Sequence, residues 1–231
     1  MQILGFLKTT LLDYPEHVAA TVFTGGCNFR CPFCHNGDLV LHPNNAPAYR
    51  EEEIFAHLTK RKGILDGVCI TGGEPTLQPD LADFIRKVRA LGYAVKLDTN
   101  GYRPDILKAL CKEGLIDYVA MDIKQAPSHY NDVACCIDFH INNIEEAVSF
   151  LMQGTVPYEF RTTLVRELHT TEDITEIGQF LSGARSYYLQ SYKDSKQVIR
   201  PGFHAHTTDE LLLFEEILKR TISNVTLRGI D

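Results

Sequence analysis

Long apolar runs are missing from this chain. The most extended are of the Leu211-Leu212-Leu213-Phe214 kind, far short of the roughly 18 residues a membrane-spanning helix needs, so no membrane partner is expected. The amino terminus has no basic stretch followed by an apolar core, so no secretory signal is expected either. A surplus of positive charge is also absent. Lys and Arg total 23 against 30 Asp and Glu, a net charge of −7, and the basic residues are scattered. That excludes the usual footprint of a nucleic-acid binder and favours a protein or small-molecule partner. No Gly-x-Gly-x-x-Gly follows the first strand pattern, which weakens a dinucleotide-binding reading.

What is present reads as a folded chain. Apolar residues make up 44% and charged residues 23% of 231 positions, ordinary for a globular protein and too apolar for disorder. Strand-like stretches at 18–24, 67–71, 94–99, 118–123, 159–165, 187–191 and 225–228 alternate with segments of helical spacing. Those fall at 51–62, 79–91, 105–113, 144–153, 173–181 and 209–222. Glycines 92, 114, 154 and 183 follow periodic segments, where a left-handed residue closes a helix. Pro79 and Pro104 sit near helix starts. Six βα units with a seventh strand predict an α/β fold, either an open doubly wound sheet or a partial (β/α)6 barrel with an extra C-terminal strand. The barrel fits better, because the unusual residues cluster at the carboxyl ends of strands. No linker divides the chain, so residues 1–231 are read as a single domain.

Seven cysteines is an odd number, and three lie too close together for a disulfide framework, which points to the reducing cytoplasm. Those three, Cys27, Cys31 and Cys34, follow Thr24-Gly25-Gly26 at the end of the first predicted strand. Structural zinc sites and most electron-transfer clusters take four protein ligands. Three thiolates can hold a cubane iron–sulfur cluster and leave one iron open. A zinc site completed by His35 is the alternative, although adjacent side chains such as Cys34 and His35 rarely reach one ion together. Thr71-Gly72-Gly73-Glu74-Pro75 ends the second strand, a weak signal alone. Asp98-Thr99-Asn100-Gly101 ends the third and, taken alone, reads as an Asn-Gly turn capped by Asp98. On the fourth, alternation puts Asp122 and Lys124 on one face, costly unless they meet a ligand or partner. Arg161 on the fifth suits an anion, or forms a rim salt bridge. Cys69 and Cys111 read as core, Cys135 and Cys136 as incidental, and His204 and His206 as surface.

Together these motifs resemble a family. Cys-x3-Cys-x2-Cys after the first strand, with Phe33 before the last cysteine, resembles the radical S-adenosylmethionine superfamily, and Gly72-Gly73-Glu74-Pro75 looks like its methionine-binding motif. Cys34-His35-Asn36, Leu97-Asp98-Thr99-Asn100-Gly101 and Asp122-Ile123-Lys124 are similar to stretches of glycyl-radical-enzyme activases. The resemblance spans about residues 4–189. It implies a [4Fe-4S] cluster on Cys27, Cys31 and Cys34, with S-adenosylmethionine chelating the open iron. It also implies reductive cleavage of that cofactor and removal of hydrogen from a glycine of a partner enzyme. Phe33 and His35 would flank the nucleoside, and Gly72, Gly73 and Glu74 would take the methionine amino end. Asp98, with Asn100 beside it, would accept from the amino group. Asp122 and Lys124 would serve the carboxylate and ribose side, and Arg161 methionine or cluster charge. After the sixth strand the activases' Pro-Tyr-His run is absent; Gln190 or Lys193 stands in its place.

Leu12-Asp13-Tyr14-Pro15 and the stretch from Thr21 to Pro32 resemble the activating proteins of anaerobic ribonucleoside-triphosphate reductase. The Asp-Gly-Pro-Gly-x-Arg stretch of formate-lyase activases is lacking. Between Cys34 and Gly72 the only cysteine is Cys69, so no second cluster is expected. The implied partners are that reductase and a low-potential donor such as flavodoxin or ferredoxin. Three alternatives stand beside this reading: a pyruvate formate-lyase-type activase, a small-molecule enzyme such as 7-carboxy-7-deazaguanine synthase, and a non-catalytic metal-binding module.

Overall fold

Strand and helix alternate as the periodicity predicts. The computed structural model describes residues 1–45 and 47–230. Its strands are β1 (Ile3–Thr10), β2 (Ala19–Thr24), β3 (Gly67–Gly72), β4 (Ala94–Thr99), β5 (Tyr118–Asp122), β6 (Tyr158–Leu164), β7 (Tyr187–Ser191) and β8 (Val225–Arg228). They lie side by side in chain order in one sheet. β1 pairs antiparallel with β2, and every later pair is parallel. The helices are α1 (Gly37–Leu41), α2 (Glu51–Lys60), α3 (Leu81–Ala90), α4 (Pro104–Lys112), α5 (Tyr130–Ala134), α6 (Ile141–Met152), α7 (Thr171–Phe180) and α8 (Thr208–Leu218). Among the described residues no helix is long and apolar enough to cross a membrane.

The helix ends follow their punctuation. Glycines 92, 114, 154 and 183 all have positive φ, and Pro104 is the first residue of α4. Pro79 instead precedes the cap, because α3 begins at Leu81 behind Asp80. Capping boxes, Thr170 with Asp173 and Thr207 with Glu210, start α7 and α8 earlier than their apolar spacing predicts. The sequence reading missed β1. It is an edge strand with Leu7 44% exposed, and an edge needs neither two-sided burial nor clean alternation.

Alternation along the parallel strands separates two faces. Val68, Ile70, Val95, Leu97, Val119, Met121, Phe160 and Leu189 pack with the helices in the core. The intervening residues of the same strands include Cys69, Lys96, Asp98, Asp122, Glu159 and Arg161, an unusually charged set for strand interiors. One expectation fails outside the sheet. His206 is not at the surface but 8% exposed, edge-on to Phe214 at 4.9 Å, with neither ring nitrogen hydrogen-bonded. Its burial comes at the start of α8, against Phe214, whereas His204 is exposed and bonds Glu167.

Candidate functional site

The cysteine loop is anchored at its root by main chain. Gly25 N donates to Gln2 O (3.1 Å) and Gly26 N to Leu39 O (2.8 Å). Across the loop, Gly73 N donates to Thr24 O and Glu74 N to Gly26 O, both at 2.8 Å. A Cβ on Gly73 would lie 1.9 Å from Gly26 O. Gly72 has φ +116°, and its added Cβ would come within 2.2 Å of Thr24 N. The paired glycines are thus required where two backbones touch. Two motifs that the sequence presents separately form one joint.

Around this joint opens a cavity of about 240 Å³. All thirteen residues expected at the site line it: the three cysteines, Phe33, His35, Gly72, Gly73, Glu74, Asp98, Asn100, Asp122, Lys124 and Arg161. Asn36, Thr71, Thr99, Thr163 and Gln190 line it too. Of these only Gln190 was singled out from sequence. Asn36 holds the Gly72 carbonyl through Nδ2 at 2.8 Å, a role that needs the fold to be seen.

The thiols fit a metal cluster. Burial pushes Cys27 and Cys31 up to about 12, with Glu74 adding to the effect at Cys27 and Lys124 opposing it at both. Thiolates there require the charge of a metal. Donors converge on the sulfur of Cys27: Phe29 N at 3.3 Å and Asn100 Nδ2 at 3.8 Å. Asn28 accepts from Asn100 Nδ2 at 2.9 Å, while its own buried Nδ2 has no partner. An orphaned donor beside the thiols suits cluster sulfur, where such bonds tune the metal. Among the described residues no three His, Cys or carboxylate side chains gather closely enough for a single ion. Thiols spread around a cavity suit a multi-atom cluster better than zinc.

Glu74 is turned into the protein. At 1% exposure its Oε1 accepts from Thr76 N (3.1 Å), the Thr76 hydroxyl and the Thr99 hydroxyl (2.7 Å), and its Oε2 from Asn100 N (2.7 Å). Burial raises its carboxyl despite these donors. The side chain ties the end of β3 to the end of β4. What this motif presents to the cavity is chiefly backbone.

Beside it runs a chain of charge across three strands, buried at Lys96 and half-buried at Asp98, Asp122, Lys124 and Arg161. Lys96 Nζ contacts Asp98 Oδ1. Asp98 Oδ2 meets Arg161 at 3.2 Å, Arg161 Nε meets Asp122 Oδ1 at 2.9 Å, and Asp122 Oδ2 meets Lys124 at 3.0 Å. Burial pushes both carboxyls up, yet Arg161 with Lys96 holds Asp98 below the usual carboxylate range, and Arg161 with Lys124 does the same for Asp122. Burial disfavours the charged Lys124 and Arg161, but their carboxylate neighbours outweigh it and raise both. Within this run of contacts three cations meet two carboxylates, while Glu74 brings a third carboxyl, raised by burial, to the same cavity. The rim salt-bridge reading of Arg161 is thereby replaced by a buried one.

The aromatic wall is equally defined. Phe33, 4% exposed, lies edge-on to His169 at 6.3 Å. The His35 ring sits 5.5 Å from Tyr192, and its Nε2 contacts Lys193 O. Gly37 N donates to Gln197 O and Arg200 N to Pro32 O, so the segment after β7 straps the cysteine loop. Cys69 is buried and Cys135 exposed; neither lines the cavity.

Comparison with known proteins agrees with this geometry. The model of the radical SAM superfamily matches residues 21–169. A candidate glycyl-radical enzyme activating enzyme of Methanocaldococcus jannaschii is 32% identical over 233 residues, covering 98% of this chain and 95% of that protein. The pyruvate formate-lyase-activating enzyme of Clostridium pasteurianum is 33% identical over 119 residues, 49% of this chain and 48% of its own. Among solved structures, Streptococcus suis SuiB bound to S-adenosylmethionine superposes with a TM-score of 0.66 at 16% identity, over 89% of this chain and 49% of that one. The chain therefore belongs to the radical S-adenosylmethionine superfamily, as a homologue of glycyl-radical enzyme activating enzymes, a family that works with a [4Fe-4S] cluster and S-adenosylmethionine.

Proposed function

We propose that this chain activates a glycyl-radical enzyme, anaerobic ribonucleoside-triphosphate reductase, in a reducing cytoplasm. The observation that carries the reading is the meeting of three elements at one cavity: the cysteine loop, the Gly72-Gly73 joint and the net-positive charge chain. Cys27, Cys31 and Cys34 hold the cluster. When bound, cluster and cofactor supply one-electron cleavage of a sulfonium and a carbon-centred oxidant able to take hydrogen from a glycine.

The chain's own residues bind and orient. Lys124 and Arg161 offer charge-assisted bonds to the methionine carboxylate, and Asp122 fixes both of them. Asp98 and the backbone at Gly72 and Gly73 receive the amino group, with Glu74 and Asn100 holding that edge in place. Phe33 and His35 flank the nucleoside, and Gln190 with Thr163 forms the wall on the ribose side. Burial of this wall keeps water from the reacting centre.

The choice of partner rests on the Leu12-Asp13-Tyr14-Pro15 resemblance and on one cysteine cluster. Asp13 accepts from the Thr21 hydroxyl at 2.5 Å, and Tyr14, 3% exposed, stacks on His17 at 4.0 Å. These residues pack at the amino end of the sheet, away from the cavity. The test begins with the anaerobically reconstituted chain, S-adenosylmethionine and dithionite, which should release 5′-deoxyadenosine. Adding the candidate reductase should produce a doublet glycyl signal in electron paramagnetic resonance. No cleavage sinks the whole reading. Cleavage with a doublet on a formate-lyase-type enzyme but none on the reductase overturns the partner alone. Flavodoxin or ferredoxin should replace dithionite.

A further inference from the structure

Lys96 is the one member of the charge chain that does not line the cavity. It lies on β4 with 1% of its side chain exposed, one of the largest wholly buried side chains in the protein. In register it stands between Cys69 of β3 and Tyr118 of β5. Its ammonium contacts Asp98 Oδ1 and lies 3.9 Å from Cys69 Sγ. Burial holds that thiol well above its ordinary range, so it is neutral. Burying an ammonium is costly unless it is paired. Strand packing alone does not ask for one, because a methionine or leucine would fill the space beside Cys69. What Lys96 adds is a charge placed behind Asp98, on the side away from the cavity.

That placement has a consequence at the cavity. Without Lys96 the chain holds two cations and two carboxylates and is neutral. Asp98 would then have Arg161 as its only cationic contact in the chain, and Arg161 would be divided between two carboxylates with no surplus. With Lys96 on Oδ1, Asp98 is held in one orientation, and a positive surplus stays at Arg161 and Lys124, which line the cavity. We propose that Lys96 is a positioning residue that makes the site selective for a ligand bearing a carboxylate. The inference rests on the S-adenosylmethionine reading above. It predicts that Lys96 affects binding of the methionine carboxylate over and above whatever it transmits through Asp98 to the amino group.

The experiment uses the full chain, anaerobically reconstituted, as wild type, Lys96→Gln and Lys96→Arg. Iron content and circular dichroism establish that each is loaded and folded. Equilibrium binding is measured for S-adenosylmethionine and for its decarboxylated form, which keeps the sulfonium, amine and nucleoside. Both ligands carry the amino group that Asp98 receives, so their ratio isolates the carboxylate: Lys96→Gln should weaken S-adenosylmethionine about tenfold, ~1.4 kcal/mol, relative to the decarboxylated ligand, and Lys96→Arg should restore the ratio. Equal loss on both ligands, or no loss, overturns the proposal. So does failure of Lys96→Gln to fold while Lys96→Arg folds, since that assigns the pairing to stability alone. A wild type that binds neither ligand sinks the cofactor reading itself, and this inference with it.

Discussion

Two clusters of buried charge lie on the same face of the sheet, and they differ in balance. Toward the amino end, Glu159, 1% exposed, accepts both Arg228 guanidinium nitrogens and the Tyr118 hydroxyl, all at 3.1 Å. Arg228 lies 3.4 Å over the Tyr188 ring. One carboxylate meets one cation, and neither lines the cavity. At the carboxyl end, two carboxylates meet three cations beside the cavity. A balanced pair, with Glu159 buried and Arg228 reaching solvent, holds strands together. An unbalanced chain with an open side has a cation to offer an anion. The same side-chain chemistry thus serves structure or function according to whether its charges cancel.

The sharpest way to break this contrast is Arg161→Leu, which removes the link between Asp98 and Asp122. Leaving two buried carboxylates short of a partner should cost about 3–5 kcal/mol in urea unfolding. Affinity for S-adenosylmethionine should fall roughly 10–100-fold. A variant as stable and as tightly binding as wild type would remove the charge chain from the site.

Glu159→Gln should cost less, about 1–3 kcal/mol, and leave cofactor affinity untouched. A fall in affinity would show that the two clusters act as one. The smallest effect concerns acid. Asp98 and Asp122 have lowered folded values, so the stability they contribute is present above the usual aspartate range and lost only as pH falls through those lowered values. Both carboxyls should therefore stay ionised from about pH 8 to about pH 5, read by carbon-13 NMR of the two side chains. A carboxyl that takes up a proton within that window would mean that the pair is not held ionised.

Much of this was legible along the chain. Six βα units followed from period-two and helical spacing, because both are local properties of a strand or helix. The cysteine spacing, Gly72-Gly73 and Asp122-Ile123-Lys124 marked the cavity before any fold was seen. Lys96 was also visible, since it alternates with Val95 and Leu97 in step with Asp98, but a lysine in a strand has no distinct signal until its burial is known. His206 was misread because a polar loop looks exposed until its packing against Phe214 of α8 is known. Glu74 was expected to face the ligand; the direction of its carboxylate depends on Thr76, in the turn that Glu74 caps, and on Thr99, whose hydroxyl arrives from the next strand.

By itself the sequence determined the alternation of strand and helix, the glycines that close helices and the thiol triad, all written within short stretches of chain. Tertiary structure alone decided that Gly73 abuts Gly26, that Arg161 spans Asp98 and Asp122, and that Lys96 stands behind them. The first two sets of contacts join residues tens of positions apart. Their meaning lies in burial and charge balance, which exist only once the strands lie side by side.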